Sequence, residues 1–313
     1  MREEFLWVEK YRPKTISECV LPVRIEKSFQ EFVDNKQIPN LLLHGSAGVG
    51  KTTVARALCE QIGCTNIVIN GSDESGIDVL RNKVKSFAST GDLYGSGRKM
   101  VILDEADNLN PSSTQPALRG MMEEFSSNCG FIFTCNWPNK IIPALHSRCT
   151  VIDFKITQSE QDTIKESFVE RVKYILDTEN IKYETDVVVE LTDKYLPDLR
   201  RILNELQRSG ASGIIDADTL QDYEAVSIDE LCTLLKKKKF DEVRQWVVEN
   251  QESEPTTLLR KIYDSLSDML KPKSVPTAVV IISDYSYKST LVSDQEINLV
   301  SCLAELMTNC EFR

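Results

Sequence analysis

Apolar residues in this chain come first as short solid runs and later as stripes at helical spacing. The runs are Leu41-Leu42-Leu43, Ile67–Asn70, Met100–Leu103, Gly130–Thr134 and Thr150–Phe154. Each is short and apolar, and most are β-branched, as strands buried on both faces of a parallel sheet are. Segments that read as helices lie between them, at Thr53–Ile62, Asp78–Phe87 and Thr114–Glu124, with Ile25–Val33 ahead of the first strand. This alternation predicts a three-layer α/β domain with a parallel five-stranded sheet. Phe5 to Pro13, which mixes aromatic and charged residues, reads as an ordered arm rather than a regular element.

Beyond Phe154 the period changes. Thr157 and Glu160 have the spacing of a capping box, and Ile164, Phe168, Val172 and Ile175 form a helical stripe. A second helix starts near Thr185. A third opens at Pro197-Asp198 and stops near Gly210, with Leu199, Ile202, Leu203 and Leu206 on one face. Capping boxes recur at Ser227/Glu230 and Ser293/Glu296, and Pro272 and Pro276 divide this last part into helical pieces. Lys236 to Lys239 reads as a solvated run at a helix C-terminus, where it favours the helix dipole. The division expected is an α/β domain over 1–155, a helical domain over 156–224 and an all-α domain over 225–313.

The candidate chemistry sits at the ends of the strands. After Leu43, Gly45-Ser46-Ala47-Gly48-Val49-Gly50-Lys51-Thr52 fits G-x-x-x-x-G-K-[ST], followed by Thr53 and a helix. Strand, glycine loop and helix together make a phosphate-binding loop, because backbone N–H groups and a helix N-terminus converge on phosphate oxygens. Lys51 would reach the β- and γ-phosphates and Thr52 would bind Mg²⁺. The strand Met100–Leu103 ends in Asp104-Glu105-Ala106-Asp107. Asp104 would hold Mg²⁺, directly or through water, and Glu105 would polarise the attacking water. The DEAD tetrapeptide also occurs in helicases.

Asn136 closes the run Phe131–Cys135, where it would position water, contact the γ-phosphate or simply cap the loop. Arg148, in Ser147-Arg148-Cys149, is by itself an ordinary surface arginine; on the edge of an NTPase domain it would reach a neighbour's γ-phosphate. Such a finger is typically worth ~10³–10⁵ in rate. Arg200 would contact phosphate from above, with Arg201 as the alternative. Arg81, Lys83 and Lys85 make one helix basic. The small and hydroxyl residues before it, Ser72 among them, suit backbone contacts to nucleic-acid phosphates, and a solvated amphipathic helix is the competing account.

Composition narrows the class. The 313 residues carry a net charge of −11, with 41% hydrophobic and 27% charged residues, as in a soluble globular protein. The acidic total rules out a basic coat and leaves confined basic patches. No apolar run is long enough to span a membrane, and the N-terminus lacks the apolar core of a signal peptide, so an intracellular protein is expected. Nine cysteines without a C-x-x-C pair and two histidines argue against a zinc site or a disulfide framework.

Taken in order, Glu9-Lys10-Tyr11-Arg12-Pro13, GSAGVGKTT, NGSDESGIDVLRNKVKSFAST, VILDEAD, Asn136, Ser147-Arg148-Cys149 and PDLRRILNELQ resemble the AAA+ clamp-loader ATPase subunits of the replication factor C type. The resemblance is dense over about residues 7 to 210. Glu18-Cys19-Val20-Leu21-Pro22 and the length look most like the T-even-type bacteriophage branch, with the eukaryotic and archaeal small subunits close. The bacterial host type, with its zinc-binding cysteine cluster, is less similar.

The resemblance implies an AAA+ domain, a helical lid and a helical collar that oligomerises. It implies ATP and Mg²⁺ as cofactors. The implied partners are a sliding clamp, primer–template DNA and other loader subunits, several copies of this chain joining a distinct subunit in a pentameric ring, with no membrane. Location would be cytoplasmic, in the host cytoplasm if phage-encoded. Tyr11, Arg12 and Pro13 would pack near adenine. Lys51, Thr52, Asp104, Glu105 and Asn136 would act in cis, Arg148 in trans and Arg200 from the lid. Ser72, Arg81 and Lys85 would follow DNA, and Leu93 and Tyr94 would enter the clamp. Gln115 and Arg119 would lie where the family couples DNA and neighbours to the ATP site. Glu74 departs from the basic residues common at this turn. A nucleotide-binding assembly subunit that does not hydrolyse, or a helicase-type ATPase, would be the alternatives.

Overall fold

The computed structural model describes residues 5–73, 76–90, 98–211, 213–216, 228–250, 255–289 and 291–313. Two compact units emerge, Met1–Gln221 and Asp222–Arg313.

The first unit begins with a helical turn α1 (Trp7–Lys10) and α2 (Val23–Asp34). There follow β1 (Leu41–His44), α3 (Lys51–Ile62), β2 (Asn66–Asn70), α4 (Ile77–Ser89), β3 (Lys99–Asp104), α5 (Thr114–Glu124), β4 (Cys129–Cys135), α6 (Pro143–His146) and β5 (Thr150–Asp153). All five strands are parallel, in the order β2-β3-β4-β1-β5. Side chains alternate across a strand, so one run serves two cores. Leu41, Leu43, Ile102 and Ile132 join Phe29, Val54 and Leu58 from α2 and α3 on one face. Leu42, Val101, Leu103, Phe131 and Phe133 join Leu80, Val84 and Leu118 from α4 and α5 on the other. Burial on both faces is why the strands read as unbroken apolar runs.

The unit continues with α7 (Gln158–Thr178), β6 (Lys182–Tyr183), α8 (Thr185–Tyr195), α9 (Leu199–Gly210) and β7 (Ile214–Ile215). Thr157 and Glu160 form the expected capping box at the start of α7. The third helix begins one residue later than its Pro-Asp signal, because Asp198 caps α9 by accepting from the Arg201 N–H at 3.0 Å. The parallel pair β6–β7 is too short to show as a period in the sequence.

The arm is more regular than its composition suggests. Trp7–Lys10 closes a helical turn because the buried Trp7 and its neighbours are held by the helices beside it. Gln207 accepts from the Trp7 N–H at 2.9 Å and donates to the Phe5 carbonyl at 2.7 Å. Glu179 accepts from Lys10 Nζ at 2.7 Å and from the Tyr11 hydroxyl at 2.5 Å.

In the second unit the described residues form helices α10 (Ile228–Lys236), α11 (Phe240–Glu249), α12 (Pro255–Met269), α13 (Val275–Lys288) and α14 (Gln295–Asn309). They bury Leu231, Leu235, Trp246, Ile262, Leu303 and Leu306 in one core. Two sequence signals shift here. The lysine run spans the turn between α10 and α11, with Lys238 at φ 52°. Helix α14 is capped by Asp294, which accepts from the Ile297 N–H at 3.1 Å, because a carboxylate one residue on outcompetes the Ser293 hydroxyl. Ser227 of the other expected box lies outside the described residues.

Candidate nucleotide site at the carboxyl edge of the sheet

Strand register alone assembles the site. His44 pairs with Cys135, so the loop beginning at Gly45 starts beside Asn136. Leu103 pairs with Phe133, so Asp104 lands beside Thr134. In parallel α/β sheets, ligands collect outside these carboxyl ends.

Between β1 and α3 the chain runs through Gly45, Ser46, Ala47, Gly48, Val49 and Gly50. Gly48 (φ 75°) and Gly50 (φ 90°) take left-handed backbone that side chains rarely adopt. Val49 is buried and anchors the loop, while Ser46 and Ala47 are exposed. A methyl group on Gly48 would fall 1.8 Å from Asp198 Oδ1, so the start of α9 rests directly on this loop.

Lys51 is only 7% exposed. Its ammonium donates to the Gly45 carbonyl (2.9 Å), the Ser46 carbonyl (2.7 Å) and Asn136 Oδ1 (2.8 Å). Burial lowers its pKa from the usual lysine value; the carboxylates of Asp104 and Asp107 oppose that shift, and the charge of Arg200 adds to it. The Thr52 hydroxyl donates to Asp104 Oδ1 at 2.5 Å, and Thr134 Oγ1 donates to the same oxygen at 2.5 Å. Glu105 turns away from β3 in the left-handed region, φ 52° and ψ 44°. Its N–H donates to Thr134 Oγ1 at 3.2 Å, and Asn108 Nδ2 donates to its carboxylate at 3.3 Å.

A cavity beside this loop is lined by Tyr11, Arg12, Pro13, Gly48, Thr53 and Arg200. The expected adenine-side arm and the expected lid arginine therefore face one space. Of the two arginines expected at the start of α9, Arg200 lines this cavity, and the Arg201 guanidinium lies 4.5 Å from the centre of the Tyr195 ring. Arg12 pairs with Glu9, yet its buried Nε has no acceptor among the described residues. An orphaned guanidinium N–H on the wall of a cavity calls for a ligand acceptor. The set fits a nucleoside triphosphate: a glycine cradle, a buried ammonium and spare donors. The hard oxygens of Thr52 and Asp104, 2.5 Å apart, suit Mg²⁺.

Arg148 stands outside this group. Its Nε and Nη2 donate to Glu123 Oε1 at 3.1 and 2.5 Å, and its Nη1 to the Ala144 carbonyl at 2.9 Å. Arg81 and Lys85 lie one turn apart on the exposed side of α4. Ser72 donates from N and Oγ to Asn70 Oδ1, at 3.0 and 2.8 Å. Leu93, Tyr94 and Glu74 lie outside the described residues.

Two residues, Thr134 and Arg171, are not marked by any motif, and Gln115, expected on the helix after Asp104-Glu105, is placed by its hydrogen bonds. Thr134 reads as one more β-branched strand residue until the register places it. Arg171 on α7 holds the arm through the Tyr11 carbonyl at 2.7 Å and the Glu18 carbonyl at 3.0 Å, a pairing across 160 residues that no local pattern shows. Gln115, fully buried, donates to the Leu109 and Lys140 carbonyls, both at 3.0 Å, and accepts from the Ile142 N–H at 2.8 Å.

Residues 41–156 match the family model described as "ATPase family associated with various cellular activities (AAA)". The sliding-clamp-loader large subunit of Escherichia phage RB69 is 31% identical, over 99% of this chain and 97% of its own. The replication factor C small subunit of Archaeoglobus fulgidus is 33% identical, over 97% of both chains. Another replication factor C small subunit, from Methanococcus maripaludis, is 42% identical over 66% of this chain and 64% of its own. Among solved structures, a RuvB mutant from Thermotoga maritima shares the fold, with a TM-score of 0.53 and 14% identity over 67% of this chain and 72% of that one. With relatives of this identity matching along nearly their whole length, the chain belongs to the clamp-loader family of AAA ATPases.

Proposed function

We propose that this chain is an ATPase subunit of a DNA-replication clamp loader, which uses ATP binding and hydrolysis to open a sliding clamp and load it on primer–template DNA. The observation that carries this reading is the division of the site. Lys51, Thr52, Asp104, Glu105 and Asn136 converge, while the donors of Arg148 go elsewhere in the same chain. A site divided in this way is finished by a neighbour's arginine and turns over only in an assembly.

The roles follow from the chemistry of each group. Lys51 exchanges its carbonyl acceptors for the β- and γ-phosphate oxygens. Thr52 and Asp104 would hold Mg²⁺, which when bound would neutralise charge developing on the phosphates. Glu105 polarises the attacking water, and Asn136 positions that water or contacts the γ-phosphate. Arg200 reaches phosphate from the lid, and Tyr11, Arg12 and Pro13 wall the base. Arg148 of one subunit stabilises the transition state at the next, typically worth ~10³–10⁵ in rate. Ser72, Arg81 and Lys85 track the DNA backbone, and Leu93 and Tyr94 contact the clamp. Lid and collar regions over 156–224 and 225–313 complete a pentameric ring of several copies with a distinct subunit.

The test is steady-state ATP hydrolysis by the chain alone, with its partner subunits, and with clamp and primed DNA added. Turnover should rise at each addition, and equal, near-zero rates throughout would overturn the reading in favour of a non-hydrolysing assembly subunit. Glu105 and Arg148, both present, favour hydrolysis. Strand separation by the chain alone would instead indicate a helicase. Native mass measurement of the assembled complex fixes its stoichiometry.

A further inference from the structure

Strand β4 ends at Cys135, and the next residue is the one that touches Lys51. The last tie to β1 is the Gly45 N–H, which donates to the Cys135 carbonyl at 3.3 Å. The following residue, Trp137, is 61% exposed. What holds this stretch is a carboxylate from the adjacent strand end. Asp107 Oδ2 accepts from the Asn136 N–H and from the Trp137 N–H, both at 3.1 Å.

Asp107 can reach there because of the backbone before it. Glu105 leaves β3 in a left-handed turn, and Ala106–Asn108 then coils into a single 3-10 turn. Asn108 N donates to the Glu105 carbonyl at 3.0 Å, which closes that turn. Its middle residue is thereby carried across to the end of β4. Two successive N–H groups on one carboxylate oxygen are charge-assisted bonds, shorter and stronger than neutral ones as a class. They fix the backbone from which the Asn136 side chain departs, and that side chain meets Lys51 Nζ at 2.8 Å.

We infer that Asp107 is a positioning residue for ATP hydrolysis, holding Asn136 at the γ-phosphate side of the site through the backbone N–H groups of residues 136 and 137. This rests on the reading of Asn136 as the residue that positions water or meets the γ-phosphate. Asp107 touches neither nucleotide nor water in this account. Its effect belongs in kcat, because the glycine cradle and Lys51 bind the triphosphate without it. An alternative role is purely electrostatic, since the Asp107 charge also acts on Lys51.

The two roles separate in the assembled loader with clamp and primed DNA. Asp107→Asn keeps an oxygen acceptor in place and loses the charge; Asp107→Glu keeps the charge and displaces the acceptor by a methylene. Positioning predicts that Asp107→Asn stays within about threefold of the parent kcat. Asp107→Glu and Asp107→Ala should then fall by about 10- to 100-fold, the scale of an ångström misplacement. KM and the affinity for a non-hydrolysable ATP analogue should stay within about twofold in all three. The reverse order, with Glu active and Asn impaired, would overturn the proposal in favour of charge. So would wild-type kcat in Asp107→Ala, or a loss of affinity equal to the loss of kcat. Should Asp107→Ala fail to fold in a thermal melt, the Asn and Glu pair decides alone. Asn136→Ala is the control: if it is slow while Asp107→Ala is not, only the present inference falls; if it hydrolyses normally, the reading of Asn136 falls as well.

Discussion

Arg148 and Glu123 form an ion pair within one chain, with two guanidinium nitrogens on a single carboxylate oxygen at 3.1 and 2.5 Å. On the proposed reading, Arg148 would have to leave this carboxylate to take a phosphate in trans. The Arg148 hydrogen bond is the largest cause holding the Glu123 carboxyl below the usual carboxylate pKa. A carboxylate with a depressed folded pKa adds stability that is present above its unfolded pKa and lost as pH falls through the folded one. The pair is solvent-exposed, so Glu123→Gln should leave the melting temperature essentially unchanged.

Arg148→Ala should bind nucleotide normally and lose hydrolysis in the assembled ring by ~10³-fold or more. Mixing it with Lys51→Ala subunits should restore part of the activity, because some interfaces then pair an intact phosphate loop with an intact arginine. Titrating the mixing ratio against ATPase rate checks this, and no recovery at any ratio would exclude a finger acting in trans.

Lys51→Met should abolish triphosphate binding, read by a fluorescent ATP analogue, while leaving the nucleotide-free protein at least as stable as the parent. The ammonium is a buried charge whose pKa is lowered, first of all by desolvation. Between that lowered value and 10.5 the unfolded chain binds the proton more tightly, so stability from this group rises with pH across the window. Chemical denaturation at several alkaline pH values should show a shallower rise in the variant.

Thr134→Val should destabilise the protein by about 1–3 kcal/mol, the cost of leaving buried polar groups unpaired. Its hydroxyl bridges Asp104 Oδ1 and the Glu105 N–H from a side chain only 1% exposed. Thr134→Ser keeps the bridge and should recover most of the loss. Urea unfolding of the three proteins is the measurement.

Arg81→Ala and Lys85→Ala should each weaken DNA binding by the assembled loader. Each should also reduce the slope of log affinity against log salt by about 0.9 for a duplex phosphate contact. Fluorescence anisotropy across a salt series provides both numbers. Unchanged slopes would mean that these residues form a solvated face.

The strands were legible because burial on both faces leaves little room for polar residues. Met100–Leu103 reads as strand from its composition alone, and the structure extends it only to Lys99–Asp104. The phosphate loop was legible because its chemistry is local: Gly48, Gly50, Lys51 and Thr52 lie within one turn of chain. What stayed hidden depends on long-range placement. Thr134 and Asp107 acquire a role only when β3 and β4 lie side by side in the observed register. The helical turn at Trp7–Lys10 forms against residues some 170 to 200 positions away, Glu179 and Gln207. Asp294 displaced the Ser293 cap because two cap-forming residues stand side by side, and the pattern alone does not choose between them.

Asp198 holds its carboxylate against Gly48, in the loop proposed to cradle phosphate. Two like charges do not share such a space without cost, so an incoming triphosphate must either repel this carboxylate or be repelled by it. Because Asp198 also caps α9, its displacement would uncap the first turn of the helix that carries Arg200. On the proposed reading, filling the loop would therefore also bear on how the start of α9, and Arg200 with it, is held.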